Sequence, residues 1–327
     1  MKNLGWKALI GTVSAWLAIG SAQAQLVPEK PIRWLVPYAA GGASDMVARL
    51  VAQEMNTAAT AGNVFVIDNK PGAASIVASQ ILVQSKADGH TVMTASFDTL
   101  SANPNFFRKI PYRWDQDFAF IGFIAKLPLV LVARPDSGIA QADDFVQYMS
   151  QHAKSLSYAT WGHGTISHLG IELLSNSAAA TMLHVPFNGS AVALQSLMAG
   201  QTDLFLVDVA VALPYIKSKA VKALAVSTAQ RSSLLPDVKT MQEAGAKDYD
   251  LYQWFSLVAP RQTPPATVEA LARQLNQTLA KPGIRQALVE RAVEPFQGSP
   301  AEVMQRASLD KVKVAKIMQE RNIPPNE

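Results

Sequence analysis

The stretch LVPYAAGGASDMVARL, residues 35–50, decides how the rest of the chain is read. An apolar strand end passes through four small residues, Ala40, Gly41, Gly42 and Ala43, into a segment whose Val47, Leu50, Val51 and Met55 recur at helical spacing. Small residues let the backbone approach a ligand closely, and Ser44 is a good N-cap for a helix starting at Asp45 or Met46. The unpaired amides of that first turn, with the positive end of the helix dipole, favour an anion. The dipole alone contributes about 0.3–1 kcal/mol when exposed, so the loop's donors must supply most of the affinity. Asp45 reads first as an acid that complements the dipole and second as a receiver for a ligand amine. A carboxylate this close tells against a densely charged anion such as phosphate.

Working outward, strands alternate with helices. Ile32–Pro37, Val64–Asn69, Thr91–Ser96 and Phe118–Ala125 are short apolar runs, with helical patterns at Asp45–Asn56 and Ile76–Gln84 between them. The pattern restarts after Leu127, with strands expected at Leu129–Ala133, Leu156–Thr160, Met182–Phe187, Leu204–Val207 and Lys222–Thr228. Helices are expected near 142–151, 167–175 and 190–199, then a strand at Phe255–Ala259 and helices near 265–279 and 300–319. The alternation implies an α/β fold of two lobes, each a mainly parallel sheet flanked by helices. Residues 25–125 plus 229–327 are expected to form the first lobe and 126–228 the second, with a cleft at the carboxyl ends of the strands. The second lobe repeats the opening device in SYATWGHGTISHLGIELL (157–174), where Trp161, Gly162, His163 and Gly164 lead to Thr165 as the candidate cap. Two such turns, one per lobe, would clamp a small acid.

Composition narrows the function. Lys2 and Lys7, an apolar run from Ala8 to Gly20 and the small-residue end Ser21–Ala24 predict a secretory leader, residues 1–24, cut after Ala24. The apolar run is short for a membrane span, and no Cys follows the cut to carry a lipid. Without the leader the net charge falls from +4 to +2. Basic residues are dispersed, which argues against nucleic acid as a partner. With no Cys anywhere, neither a disulfide nor a thiolate nucleophile is available.

Enzyme motifs fail in turn. Neither loop has the Lys of a phosphate-binding NTPase loop, Gly162-His163-Gly164 lacks a third glycine, and no Gly-x-Ser-x-Gly elbow occurs. His163, His168 and His184 are spaced by 5 and 16 residues, which matches no zinc pattern, so neither metal nor cofactor is expected. His168 reads as a polar residue in a helix's first turn. The rival from another class is a hydrolase or isomerase using Asp45, His163 or Asp208 as acid or base. A third reading is a sensor that signals its bound state to a partner.

In order along the chain stand PIRWLVPYAAGGASD (31–45), NKPGAA (69–74), ADGHT (87–91), SYATWGHGTISHLG (157–170), HVPFNGS (184–190), AGQTDLFLVD (199–208), KALAVSTAQRSSLLPDVKT (222–240) and WFSLVAPRQTPP (254–265). In this order the motifs resemble the substrate-binding receptors of tripartite tricarboxylate transporters, the Bug or TctC type, over nearly the whole chain after the leader. The resemblance implies a type II periplasmic-binding (Venus-flytrap) fold, location in the periplasm, a small carboxylic acid as ligand, an inner-membrane permease of the tripartite type as partner, and a monomer. It implies that Tyr38, Ala39, Gly41, Gly42 and Ser44 hold one carboxylate and that Trp161–Thr165 supply donors from the other lobe. Ser96, Phe97, Phe187, Asn188, Gly189 and Asp208 should line the rest. Two positions depart from the family's commonest pattern: Phe187-Asn188 stands where Tyr-Lys is usual, and Asp208 sits one place later than in many members. With Trp161, Phe97, Tyr38 and Phe187 as an aromatic lining, a ligand with one carboxylate and an apolar or aromatic body is expected over a tricarboxylate.

Overall fold

The computed structural model describes residues 30–58, 64–141 and 144–325; the expected leader, residues 1–24, lies outside them. Strand β1 (Ile32–Val36) lies between β2 (Phe65–Asn69) and β3 (Thr91–Ser96), parallel to both, with α1 (Ala43–Ala58) and α2 (Ile76–Gln84) in the connections. Successive strand side chains alternate between faces. Ile32, Trp34 and Val36 therefore pack with Val47, Val51 and Met55 of α1, while Leu35 joins Leu82 of α2 and Met93 on the opposite face. A strand covered on both sides has to be apolar at every position facing a helix. That is why residues 32–36 show no alternation of apolar and polar types apart from Arg33, whose guanidinium reaches Asp68 at the surface.

After β3 come a π-turn, Asp98–Ala102, and two short helices, α3 (Asn103–Phe106) and α4 (Trp114–Asp117), before β4 (Phe118–Ala133). The second lobe follows: α5 (Gly138–Gln141), α6 (Phe145–His152), β5 (Ser157–Thr160), α7 (Ile166–Ser177), β6 (Leu183–Pro186), α8 (Ser190–Met198), β7 (Leu204–Asp208), α9 (Val209–Lys217) and β8 (Lys222–Val226). The chain ends with β9 (Tyr252–Pro260), α10 (Pro265–Ala280), α11 (Pro282–Val289), β10 (Glu294–Pro295) and α12 (Pro300–Glu320). β5 is parallel to β6 and β7, but β9 runs antiparallel to β3 and β4, and β4 antiparallel to β7 and β8. The strands joined by helical crossovers are thus the parallel ones, and the strands that pass between lobes reverse direction.

A difference from the sequence reading concerns those passages. Residues 118–125 and 129–133 were expected as separate strands but form one, β4, whose first part pairs with β9 and whose last five residues pair with β7 and β8. Pro128, which looks like a break because it lacks an N–H, falls at the change of partners: it is the last residue opposite β9, and Leu129 N–H goes to Ser227 Oγ at 3.0 Å. The return to the first lobe is expected after Thr228; between that point and β9, Met241 N–H bonds Val226 O and the Tyr249 hydroxyl donates to Gly170 O, so these anchors pack on the second lobe. This segment has no helical or strand periodicity, only isolated anchors such as Met241 and Tyr249, and so reads as a linker.

Candidate functional site

The loop after β1 meets the second lobe head-on. Gly41 adopts φ +84°, a conformation strained for any residue with a Cβ. This turns the chain so that α1 opens at Ala43, with Met46 N–H to Gly42 O (3.0 Å) as its first bond. Helix geometry leaves the amides of residues 43–45 without intrahelical acceptors. Asp45 does not enter the gap. Burial would raise its pKa, but Arg49, the Gly41 amide (3.0 Å) and Asn69 (2.9 Å) donate to its carboxylate and hold it below the usual range. Ser44 is different: its Oγ is buried and has no partner among the described residues.

Opposite stands the N-terminus of α8. Gly189, at φ +122°, accepts the helix's first bond from Ala193 (3.2 Å), leaving the amides of Ser190, Ala191 and Val192 free of intrahelical partners. The two turns nearly touch: a Cβ on Gly42 would lie 3.2 Å from Ser190 Oγ, and one on Gly189 3.4 Å from that of Ala39. Between them lies a cavity of about 50 Å³, lined by both helix starts and by Tyr38, Trp161, Asp208 and Gln253. A second cavity of about 280 Å³ shares Tyr38, Trp161 and Gly189 and extends past Gly162, His163, Phe187 and Asn188 to the turn at residues 71–75.

The α7 turn, expected to receive a ligand carboxylate, already holds one. Asp98, fully buried and absent from the residues singled out in sequence, accepts from the Ile166 amide (2.7 Å), Trp161 Nε1 (3.1 Å) and the Tyr38 hydroxyl (2.5 Å), with the Gln253 amide beside them. Burial raises its pKa and the donors oppose that; Tyr38 is pushed well above its usual value by burial and by Asp98. Thr165 bonds Gly162 O, and Gly164 is packed on Phe106, so both shape the α7 turn from within. Ser96 bonds Tyr38 and Thr99, and Phe97 lies in the core, which removes it from the expected aromatic lining. Asp208, at the end of β7, lines the smaller cavity; its Oδ1 is buried without a partner among the described residues, and burial, with Asp98 nearby, pushes its pKa up to about 7.

The three histidines whose spacing fits no zinc pattern do meet: their ring nitrogens lie within 4.8 Å of one another. His168 and His184 stack at 4.2 Å and 11°, so their in-plane lone pairs run side by side and do not converge. His184 Nε2 pairs with Thr160 Oγ1 (2.7 Å) and His168 Nδ1 accepts from the Gly164 amide (3.3 Å). Burial, then neighbouring histidines, depress both pKa values to about 3.

Comparison with known proteins agrees with this architecture. The model of the tripartite tricarboxylate transporter family receptor matches residues 47–323. A UPF0065 protein of Bordetella pertussis is 31% identical over 325 residues, covering 99% of this chain and 100% of its own. BugT of the same organism is 27% identical over 295 residues, 90% of each chain. Among solved structures, Rpa4515 of R. palustris with adipate is 28% identical with a TM-score of 0.87, covering 90% of this chain and 98% of that one. MatC from Rhodopseudomonas palustris with bound malate is 29% identical with a TM-score of 0.82, covering 88% and 98%. With two α/β lobes closing on a shared gap and this family match along most of its length, the chain belongs to the tripartite tricarboxylate transporter receptor family, periplasmic solute-binding proteins that are receptors and not enzymes.

Proposed function

We propose that this receptor captures a small carboxylic acid between its lobes and presents the closed form to an inner-membrane permease of the tripartite type. The observation that carries the reading is the pair of facing helix starts. α1, with the unpartnered Ser44 hydroxyl, and α8, with the free amides of residues 190–192, open into one cavity. A carboxylate placed there would accept from both lobes at once, the loop Tyr38, Ala39, Gly41 and Gly42 forming its first wall. Charge-assisted hydrogen bonds of this kind are roughly twice as strong as neutral ones, and a micromolar ligand needs only about −8 kcal/mol in total. Neighbours of the same fold hold adipate and malate, which supports an acid as the ligand here. The amino-terminal 24 residues act as a cleaved leader and the mature chain works as a monomer. A protein that passes its bound state to a signalling partner would use the same cleft.

Mass spectrometry of the small molecule released on denaturing natively purified protein tests this directly. A carboxylic acid in about one-to-one ratio is expected, and adding it back should raise the melting temperature saturably without being consumed. Turnover of the added acid would overturn the receptor reading.

A further inference from the structure

Resting on that reading, we infer that the captured acid also carries a protonated nitrogen, received by Asp208, which lines the same cavity as the carboxylate site. Two buried polar atoms that line the cavity lack partners among the described residues, and they are of opposite kind. Ser44 Oγ, from the first lobe, stands among helix amides and can give its proton to an acceptor. Asp208 Oδ1, from the second lobe, is an acceptor with nothing to accept. Buried polar atoms in native proteins are generally satisfied, so an unpaired one beside a cavity points to what fills it.

The lining decides between possible second groups. Among the described residues it contains no Lys, Arg or His, so no side chain there offsets the Asp208 charge. Gln253, the remaining amide, is occupied: its Oε1 accepts from the Trp254 amide (3.1 Å) and its amide group is turned to Asp98. Asp98 is itself saturated by Tyr38, Trp161 and Ile166, so Asp208 is the carboxylate left for a ligand. A second ligand carboxylate would meet Asp208 as a like charge with Asp98 behind it, whereas an ammonium would supply the missing opposite charge and donors in one group. The ligand class is therefore a small net-neutral amino acid, α- or ω-amino, and not a dicarboxylate.

Calorimetric titration of the full-length mature protein with two matched series tests this: glycine, L-alanine, 3-aminopropionate and 4-aminobutyrate against malonate, succinate and glutarate. At least one amino acid is expected to bind tenfold or more tightly than every dicarboxylate. In Asp208→Asn, which keeps the shape and removes the charge, that amino acid should lose at least tenfold and the dicarboxylates should lose nothing. Dicarboxylates binding the wild type as tightly as the amino acids would overturn the inference while leaving the carboxylate reading intact. Proton uptake on their binding would show a protonated Asp208 donating to them instead. Saturable binding by neither series would overturn the carboxylate reading and this inference together. The wild-type comparison decides even if the variant folds poorly.

Discussion

The carboxylate of Asp98 stands where the lobes meet, and its donors come from both: Tyr38 from the first, Trp161 and Ile166 from the second. Hydrogen bonds to a charged group contribute about 1.5–3 kcal/mol each, and a buried donor left alone costs about 1–3 kcal/mol. Asp98→Ala should therefore favour the open form and weaken ligand binding by about tenfold to a hundredfold, read by calorimetry. Small-angle scattering of the ligand-free variant should give a larger radius of gyration than wild type. In sequence, Asp98 follows Phe97 in a run of hydroxyl and apolar residues and looks like any acid at the start of a turn. Only the folding of α7 against β3's end makes it the occupant of the α7 turn. Trp161 could be singled out beforehand because it lies between a strand end and a helix start, and Tyr38 and Asp208 because of the family resemblance. That Asp208 Oδ1 has no partner was not legible, because satisfaction is a property of neighbours distant in sequence.

Among elements, α7 is tightly seated. A Cβ on Gly170 would come within 2.3 Å of Leu206 Cδ2 and 2.8 Å of the Tyr249 hydroxyl, so the helix lies almost flush on β7 and on the segment before β9. Gly170→Ala should destabilise the protein by about 1–3 kcal/mol through overpacking, measured by urea unfolding. Most helices and strands were legible because their apolar residues keep a period of 3.6 or 2. The turn at Ala73, Ala74 and Ser75 was legible only as a motif. All three residues have positive φ, held there by Asn103 Nδ2 on Ala74 O (2.7 Å) and Thr99 Oγ1 on Ser75 Oγ (2.9 Å), and no local preference of alanine would foretell that. At the start of α8 only Gly189 was legible, through the family resemblance, because a Gly-Ser pair before a helix is an ordinary cap until something stands opposite it.

For the whole molecule, two buried sites set opposite responses to pH. His168 and His184 titrate near 6.5 when unfolded and near 3 when folded. Their contribution is complete above about 6.5 and is lost as pH falls towards 3, by at most about 1.4 kcal/mol per pH unit per ring. Asp208 runs the other way: its folded value near 7 exceeds the unfolded 3.8, so ligand-free stability declines as pH rises between them. Urea unfolding from pH 4 to 8 should show the acid-side loss flattened in His168→Gln/His184→Gln and the opposing decline removed in Asp208→Asn. The two-lobed architecture itself was legible from the restart of the strand–helix pattern after Leu127, but the continuity of β4 through Pro128 was not, because a proline reads as a break.

That strand has a mechanical consequence. β4 and β9 are laddered to each other from Phe118↔Pro260 to Pro128↔Tyr252, a two-ply leaf in the first lobe whose last rung stands where both strands pass between lobes. A leaf of this kind flexes and twists without releasing its rungs. Bending at that last rung would leave the other rungs unchanged, and the stiffness of the jaw would then be set by what lies across its mouth.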